Sequence, residues 1–70
     1  MLQDEQTLRR TVAKNIAAYR KSHKDTQLDL ARKLNYSDKS VSKWERGEGL
    51  PHVYILAQIA QLYGVTVSNL

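Results

Sequence analysis

Two short helical patterns separated by only three residues constrain the fold of this chain more than any other feature. Thr26 followed by Asp29 has the spacing of a capping box, which begins a helix. Asn35 tolerates the left-handed backbone that ends a helix, and Ser37 is a typical N-cap for the next one. The apolar residues between these signals have helical spacing: Leu30, Ala31 and Leu34. The pattern therefore predicts two short helices joined by a tight turn, the helix-turn-helix unit.

Helical patterns also lie on both sides of this unit. A first helix is predicted over about 7–22, from apolar residues spaced by three and four: Leu8, Val12, Ile16 and Tyr19. Gly47 is expected to end the third helix, Pro51 to be the first residue of a fourth, and Gly64 to end it. Ser68 is a plausible N-cap for one more helix. The prediction is an all-α fold, a compact bundle of four to five short helices.

Length and composition exclude several classes of protein. Seventy residues allow a single domain, 1–70. The chain has no cysteine, and His23 and His52 stand alone, so neither a disulfide framework nor a metal site is expected, and no cofactor. No apolar run approaches the roughly 20 residues of a membrane span, and residues 1–6 lack the pattern of a signal peptide. We therefore expect a cytoplasmic protein with no membrane contact.

The placement of positive charge is more informative than its total. A net charge of +4 permits attraction to polyanions without naming the partner. On a helical wheel, Val41 and Trp44 share one side of the third helix. The opposite side carries, within roughly a 100° arc and with no acid between them, Lys39, Ser42, Lys43 and Arg46. Lys39 and Lys43 are like charges at i,i+4, an unfavourable pair unless an anion lies opposite.

This face suits the major groove of double-stranded DNA. An α-helix fits that groove, lysine donates to guanine O6 and N7, and serine serves a base or a phosphate. Asp38 could accept from a cytosine amine, but favourable charge at a helix N-terminus is the preferred interpretation. Gln27 begins the second helix, where free backbone amides suit a phosphate, although without the motif an ordinary solvated glutamine is the preferred interpretation.

At these residues the chain resembles the Cro/C1-type (XRE-like) helix-turn-helix family. Residues 26–34 are similar to the family's Ser/Thr-Gln-x-x-Leu-Ala-x-x-Leu second helix, and 37–47 are similar to its recognition helix with the Glu-x-Gly ending. The resemblance extends over 16–70, with the helix-turn-helix motif at 27–46. Two departures are Asn35, in place of the usual turn glycine, and Glu48, where the family often has lysine, which puts a phosphate contact by that loop in doubt.

The resemblance implies a lambda-repressor-like fold and a transcriptional regulator, a repressor in our interpretation, that binds double-stranded DNA as a homodimer on two-fold sites. It also implies roles for individual residues. The positions that read bases are Ser37, Asp38, Lys39, Ser42 and Lys43. The positions that contact phosphate are Thr26, Gln27 and Arg46. It further pairs Arg20 of the first helix with Glu45 of the third as a structural ion pair.

Enzymatic activity is not expected, because no nucleophile and base can be paired. The serious rival is a protein-interaction module, or an antitoxin that binds both a toxin and its operator, because apolar residues cover over half of the fourth helix. We favour a central helix packed on several sides, partly by a missing C-terminal segment. The sharper hypothesis assigns a dimer or partner surface to Ile55, Leu62, Val67 and Leu70.

Overall fold

A computed structural model describes residues 4–70, and these residues form four α-helices and one short 3₁₀ helix. The α-helices are α1 (Glu5–Ser22), α2 (Gln27–Leu34), α3 (Asp38–Glu45) and α4 (Val53–Tyr63), and the 3₁₀ helix is Val67–Asn69. The all-α prediction is confirmed. The first residues of the predicted domain, Met1–Gln3, lie outside the described part of the chain.

Side-chain caps set where the first two helices begin. The Asp4 carboxylate accepts from the backbone amide of Thr7 at 2.7 Å, so α1 begins two residues before the predicted start. This hydrogen bond lowers the pKa of the Asp4 carboxyl. At α2, Thr26 Oγ1 accepts from the amide of Asp29 at 3.0 Å, and the Asp29 carboxylate accepts from the amide of Thr26 at 2.8 Å. The predicted capping box is therefore confirmed.

All four α-helices end in the same way. One or two residues after each helix, the chain adopts the left-handed conformation, with φ between +59° and +73°: Lys24, Asn35, Gly47 and Gly64. The next amide then bonds back to the carbonyl five residues earlier, as from Glu48 to Lys43 at 3.1 Å. This is the Schellman motif, which satisfies carbonyls left free at a helix end. The roles of Asn35, Gly47 and Gly64 are confirmed, whereas Lys24 gives no such signal in the sequence.

Two predictions near the carboxyl end are wrong. α4 begins at Val53 rather than at Pro51, because Pro51 is buried in a non-helical stretch and His52 is the N-cap residue. Ser68 does not cap a helix but lies within the 3₁₀ helix. Thr66 precedes that helix, and its amide donates to Asn69 Oδ1 at 3.1 Å.

The core joins all four helices. Its fully buried large side chains come one from each α-helix: Ile16, Leu30, Val41 and Ile59. Burial of such a side chain stabilises the fold by about 1.5–3 kcal/mol. Trp44 and Tyr63 are buried as predicted. α3 packs mainly on α2 and α1, so its inner face is held while its outer face stays open to solvent.

The partner surface proposed on α4 and the tail is wrong for two of its four residues. Ile55 and Leu70 are only 4% and 7% exposed, because both belong to the domain's own core. Leu62 and Val67 remain exposed, and so does Val53. No helix within the described range combines the length and apolar character needed to cross a membrane.

Candidate nucleic-acid interface

The outer face of α3 presents the predicted group of cations to solvent. Lys39 and Lys43 are exposed, Ser42 is half-buried, and Arg46 follows the last helical residue. Within residues 4–70, neither lysine ammonium forms a hydrogen bond or an ion pair with the protein. The structure therefore places these four residues on one open face, opposite the buried side of α3.

The N-terminus of α3 is shaped by Ser37. Its hydroxyl accepts from the backbone amide of Ser40 at 3.2 Å and lies 3.2 Å from the Ser40 hydroxyl. Asp38 is exposed in the first turn, where a negative charge stabilises the helix. Both residues lie at the helix start, on the surface, but the Ser37 hydroxyl already has a capping role that any contact with DNA would have to share.

A buried ion pair fixes the end of α3 to α1. Arg20 donates to both oxygens of Glu45, from Nε at 2.6 Å and from Nη2 at 2.9 Å. The two side chains are 10% and 7% exposed. A third donor, Nη1, reaches the backbone carbonyl of Asp25 at 2.8 Å. Chiefly through its hydrogen bonds to Glu45, the pKa of the Arg20 guanidinium is raised. The structure thus places the two expected partners in bidentate contact.

Gln27 is tied to the same carboxylate. Its Nε2 donates to Glu45 Oε1 at 3.0 Å, and this oxygen also accepts from Arg20. One amide proton of Gln27 is therefore used within the protein, while the second proton remains to donate to an anion. Neighbouring Thr26 uses its hydroxyl in the capping box. Sequence reasoning missed the bond from Gln27 to Glu45, because it depends on how α2 packs against α3.

Arg46 also has a partner within the chain. Its guanidinium donates to both carboxylate oxygens of Glu48, from Nε at 2.8 Å and from Nη2 at 3.2 Å, and its Nη1 contacts the Ser42 hydroxyl. The hydrogen bond and the charge of Arg46 lower the pKa of the Glu48 carboxyl. Sequence reasoning missed this pair, although an acid two residues after a predicted phosphate-contact residue was a signal for it.

Asp25 anchors the loop behind the interface. Lys33 of α2 donates to both of its carboxylate oxygens at 3.0 Å, and the Tyr63 hydroxyl of α4 donates to one of them at 3.1 Å. Burial, followed by the hydrogen bond to Asp25, raises the pKa of the Tyr63 hydroxyl. The His23 ring lies against Tyr63 with centroids 4.7 Å apart. These contacts hold the loop before α2, and with it the start of the helix-turn-helix unit.

The family follows from the sequence match. Residues 16–70 match the helix-turn-helix family HTH_3, which is of the Cro/C1 type. These are the limits over which the sequence resembles that family. Because the match covers most of the chain, the chain belongs to this family of DNA-binding transcription regulators.

Solved structures agree with this assignment. A hypothetical transcription factor, NHTF from Neisseria, is 29% identical, with a TM-score of 0.82 over 99% of this chain and 79% of that one. The clp gene regulator ClgR from Corynebacterium glutamicum is 24% identical, has a TM-score of 0.83 over 94% of this chain and 70% of its own, and shows the fold alone. The enzyme FeII HppE is 26% identical with a TM-score of 0.79, but the match covers 86% of this chain and only 35% of the enzyme. The sequence has no significant match among curated proteins.

Proposed function

We propose that this domain binds a specific sequence in double-stranded DNA, with α3 in the major groove. The observation that carries the proposal is the open cationic face of α3, since Lys39 and Lys43 are exposed and share no ion pair with the described residues. Two lysines one turn apart repel each other until an anion lies opposite. Val41 and Trp44 are buried on the other side, so the rigid core fixes the direction of this face.

Each polar residue around this face receives a role in the proposal. Lys39 and Lys43 donate to guanine, with Ser37, Asp38 and Ser42 beside them at base edges. Thr26, Gln27 and Arg46 contact phosphates on either side of the groove. Gln27 is already oriented by Glu45, and the N-terminus of α2 adds free amides and a favourable dipole.

The regulator is expected to act as a repressor in the cytoplasm and to bind a two-fold site as a homodimer. Dimers of helix-turn-helix domains place their recognition helices about one DNA turn apart, so the operator would be a palindrome. Sedimentation of the protein with and without a palindromic duplex tests this part. A single domain bound per palindrome at saturation would contradict it.

Sequence-specific DNA binding is tested by selection from a randomised duplex pool, with binding followed at two salt concentrations. We expect a compact motif that persists at the higher salt, because base contacts add to the attraction of phosphates. Binding that falls steeply with salt and enriches no motif would leave only phosphate attraction and would contradict the proposal.

A second candidate function is protein binding, favoured by a groove between the end of α2 and the start of α4. The groove has a volume of about 550 Å³. Val53 and Tyr54, on its rim, are 79% and 70% exposed, and Tyr36 is also exposed. Exposed apolar side chains grouped in this way are typical of interaction sites. Replacing Val53 and Tyr54 by serine should leave the affinity of the monomeric domain for duplex DNA unchanged. This variant would lose the protein's function only if that function depends on the groove rather than on α3.

A further inference from the structure

The turn after α3 brings an acid back over the end of the recognition helix. Gly47 adopts φ +73°, and the amide of Glu48 donates to the carbonyl of Lys43 at 3.1 Å. The backbone of Glu48 is therefore fixed by the Schellman motif, not left in a free loop. From this position its carboxylate reaches the guanidinium of Arg46.

The geometry of this contact matches the way arginine binds a phosphate. Glu48 presents two oxygens to two guanidinium nitrogens, at 2.8 and 3.2 Å. Arginine holds carboxylates and phosphates in the same bidentate manner. In the free protein, therefore, an acid of the chain itself already fills the fork that the proposed function assigns to a DNA phosphate.

The acid also affects its other neighbours on the cationic face. Arg46 contacts the Ser42 hydroxyl while it holds Glu48, so the three side chains form one chain of contacts. Lys43 runs along the same loop, since a Cβ added at Gly49 would lie 3.5 Å from Lys43 Cε. The charge of Lys43 contributes, after that of Arg46, to the lowered pKa of the Glu48 carboxyl. Glu48 thus reduces the positive potential at several of the groups expected to face DNA.

We infer that Glu48 limits DNA affinity by acting as an intrachain substitute for phosphate on Arg46. DNA must displace this carboxylate before Arg46 can bind its backbone. Both side chains are 55% exposed, so the exchange takes place at the surface and needs no unfolding. Because a phosphate contact carries no sequence information, the carboxylate lowers affinity for all duplexes alike and leaves the preferred motif unchanged. This inference rests on the proposed function.

The experiment compares Glu48→Gln with the wild-type domain on the selected duplex and on an unrelated duplex, over a salt series. We expect Glu48→Gln to bind both duplexes about twofold to fivefold more tightly, the range of a surface charge contact. The slope of log affinity against log salt should steepen by up to about 0.9, the contribution of one phosphate contact. Glu5→Gln is the matched control, because it makes the same charge change at another surface Glu–Arg pair, Glu5–Arg9. Its effect should stay below about twofold.

A double-mutant cycle identifies the partner of Glu48. In an Arg46→Gln background, Glu48→Gln should increase DNA affinity no more than the Glu5→Gln control does, because the guanidinium that the carboxylate binds is gone. The Nε–Hε signal of Arg46 in nuclear magnetic resonance spectra of the free protein should move in Glu48→Gln and stay in place in Glu5→Gln. This signal reports the pair without any DNA.

The outcomes separate the inference from the proposed function. If the wild-type domain selects no motif, the proposed function fails and the inference fails with it. If the wild-type domain selects a motif but Glu48→Gln binds no more tightly, the inference alone is overturned. A gain of equal size in the Arg46→Gln background would also overturn it, because the carboxylate would then repel DNA directly and not by filling Arg46.

Discussion

Two neighbouring residues at the end of α3 form Arg–Glu pairs of similar geometry in different surroundings. Glu45 binds Arg20 with bonds of 2.6 and 2.9 Å, and Arg46 binds Glu48 with bonds of 2.8 and 3.2 Å. The first pair is 10% and 7% exposed, the second 55% at both side chains. Successive residues on a helix point about 100° apart, so one pair faces α1 and the other faces solvent. The difference shows that burial, not bond geometry, determines whether an ion pair acts on the stability of the fold or on the charge of the surface.

The buried pair connects α1 to α3, and the exposed pair sets the local positive charge at the end of α3. A carboxylate that also accepts from Gln27 cannot be removed without leaving Arg20 buried and unpaired. The exposed carboxylate can be exchanged for solvent or for another anion at little cost. Stability should therefore depend on the first pair, and DNA affinity on the second.

The largest effect is expected from breaking the buried pair. Glu45→Ala should lower the free energy of unfolding by about 3–5 kcal/mol, because the Arg20 charge stays in the core without a partner. Urea denaturation followed by circular dichroism measures this loss. The matched variant is Glu48→Gln, which should lower the denaturation midpoint far less, because an exposed pair contributes little to stability. Equal losses in the two variants would contradict the division of roles.

The next largest effect concerns a cation of the open face. Lys43→Ala should weaken binding to the selected duplex by about 1–3 kcal/mol and relax the preference at one base pair. Lys14→Ala, an exposed lysine of α1 with no assigned contact, is the control and should change affinity only slightly. Affinities measured for a set of single-base operator variants show whether the preference at one base pair is relaxed. An unchanged preference in Lys43→Ala would remove this residue from the reading face.

A smaller effect is expected where the turn brings Glu48 back to Arg46. Gly47→Ala places a side chain at φ +73°, which should cost about 1 kcal/mol of stability. The strain is in the backbone, since the added Cβ would meet only ordinary contacts at 4.0 Å, from Arg9 and Arg10. Gly49→Ala, which does not lie in the left-handed region, should cost less. Thermal unfolding compares the two, and a larger loss in Gly49→Ala would contradict this account of the turn.

The smallest effect is the pH dependence of the exposed pair. Hydrogen bonding and charge from Arg46 hold the pKa of Glu48 below its usual value. The stabilisation from this pair is therefore fully present above the ordinary glutamate pKa and is lost as pH falls through the lowered value. Titration of the Glu48 carboxyl carbon by nuclear magnetic resonance measures the shift. In Arg46→Gln the pKa should return toward its usual value, and a pKa that stayed equally low would exclude Arg46 as the cause.

Sequence reasoning succeeded where the determining interactions are local. The capping box at Thr26, the left-handed turn at Asn35 and the cap at Ser37 each involve residues within three positions of one another, so they can be recognised from spacing. The same reasoning failed at Pro51, because a proline suits both a helix start and the buried, non-helical segment found here.

Interactions between elements could not be recognised in this way. The burial of Ile55 depends on the direction in which α4 crosses the core, which helical periodicity does not determine. The wheel for α3 stops at Arg46, so it omits Glu48, which the left-handed turn at Gly47 brings back to that helix. The pair of Arg20 with Glu45 joins residues 25 positions apart and was expected only through family resemblance.

The role of the outer face of α3 is tested best by mapping the bound surface by nuclear magnetic resonance as the selected duplex is added to the wild-type domain. We expect the perturbed amides and side chains to cluster at the start of α2 and along 37–48, with the Arg46 Nε–Hε signal moving as Glu48 is displaced. Signals of Val53 and Tyr54 should remain in place. Perturbations centred on those two residues and on Tyr36, with Lys39 and Lys43 unaffected, would contradict the claim that the outer face of α3 reads DNA.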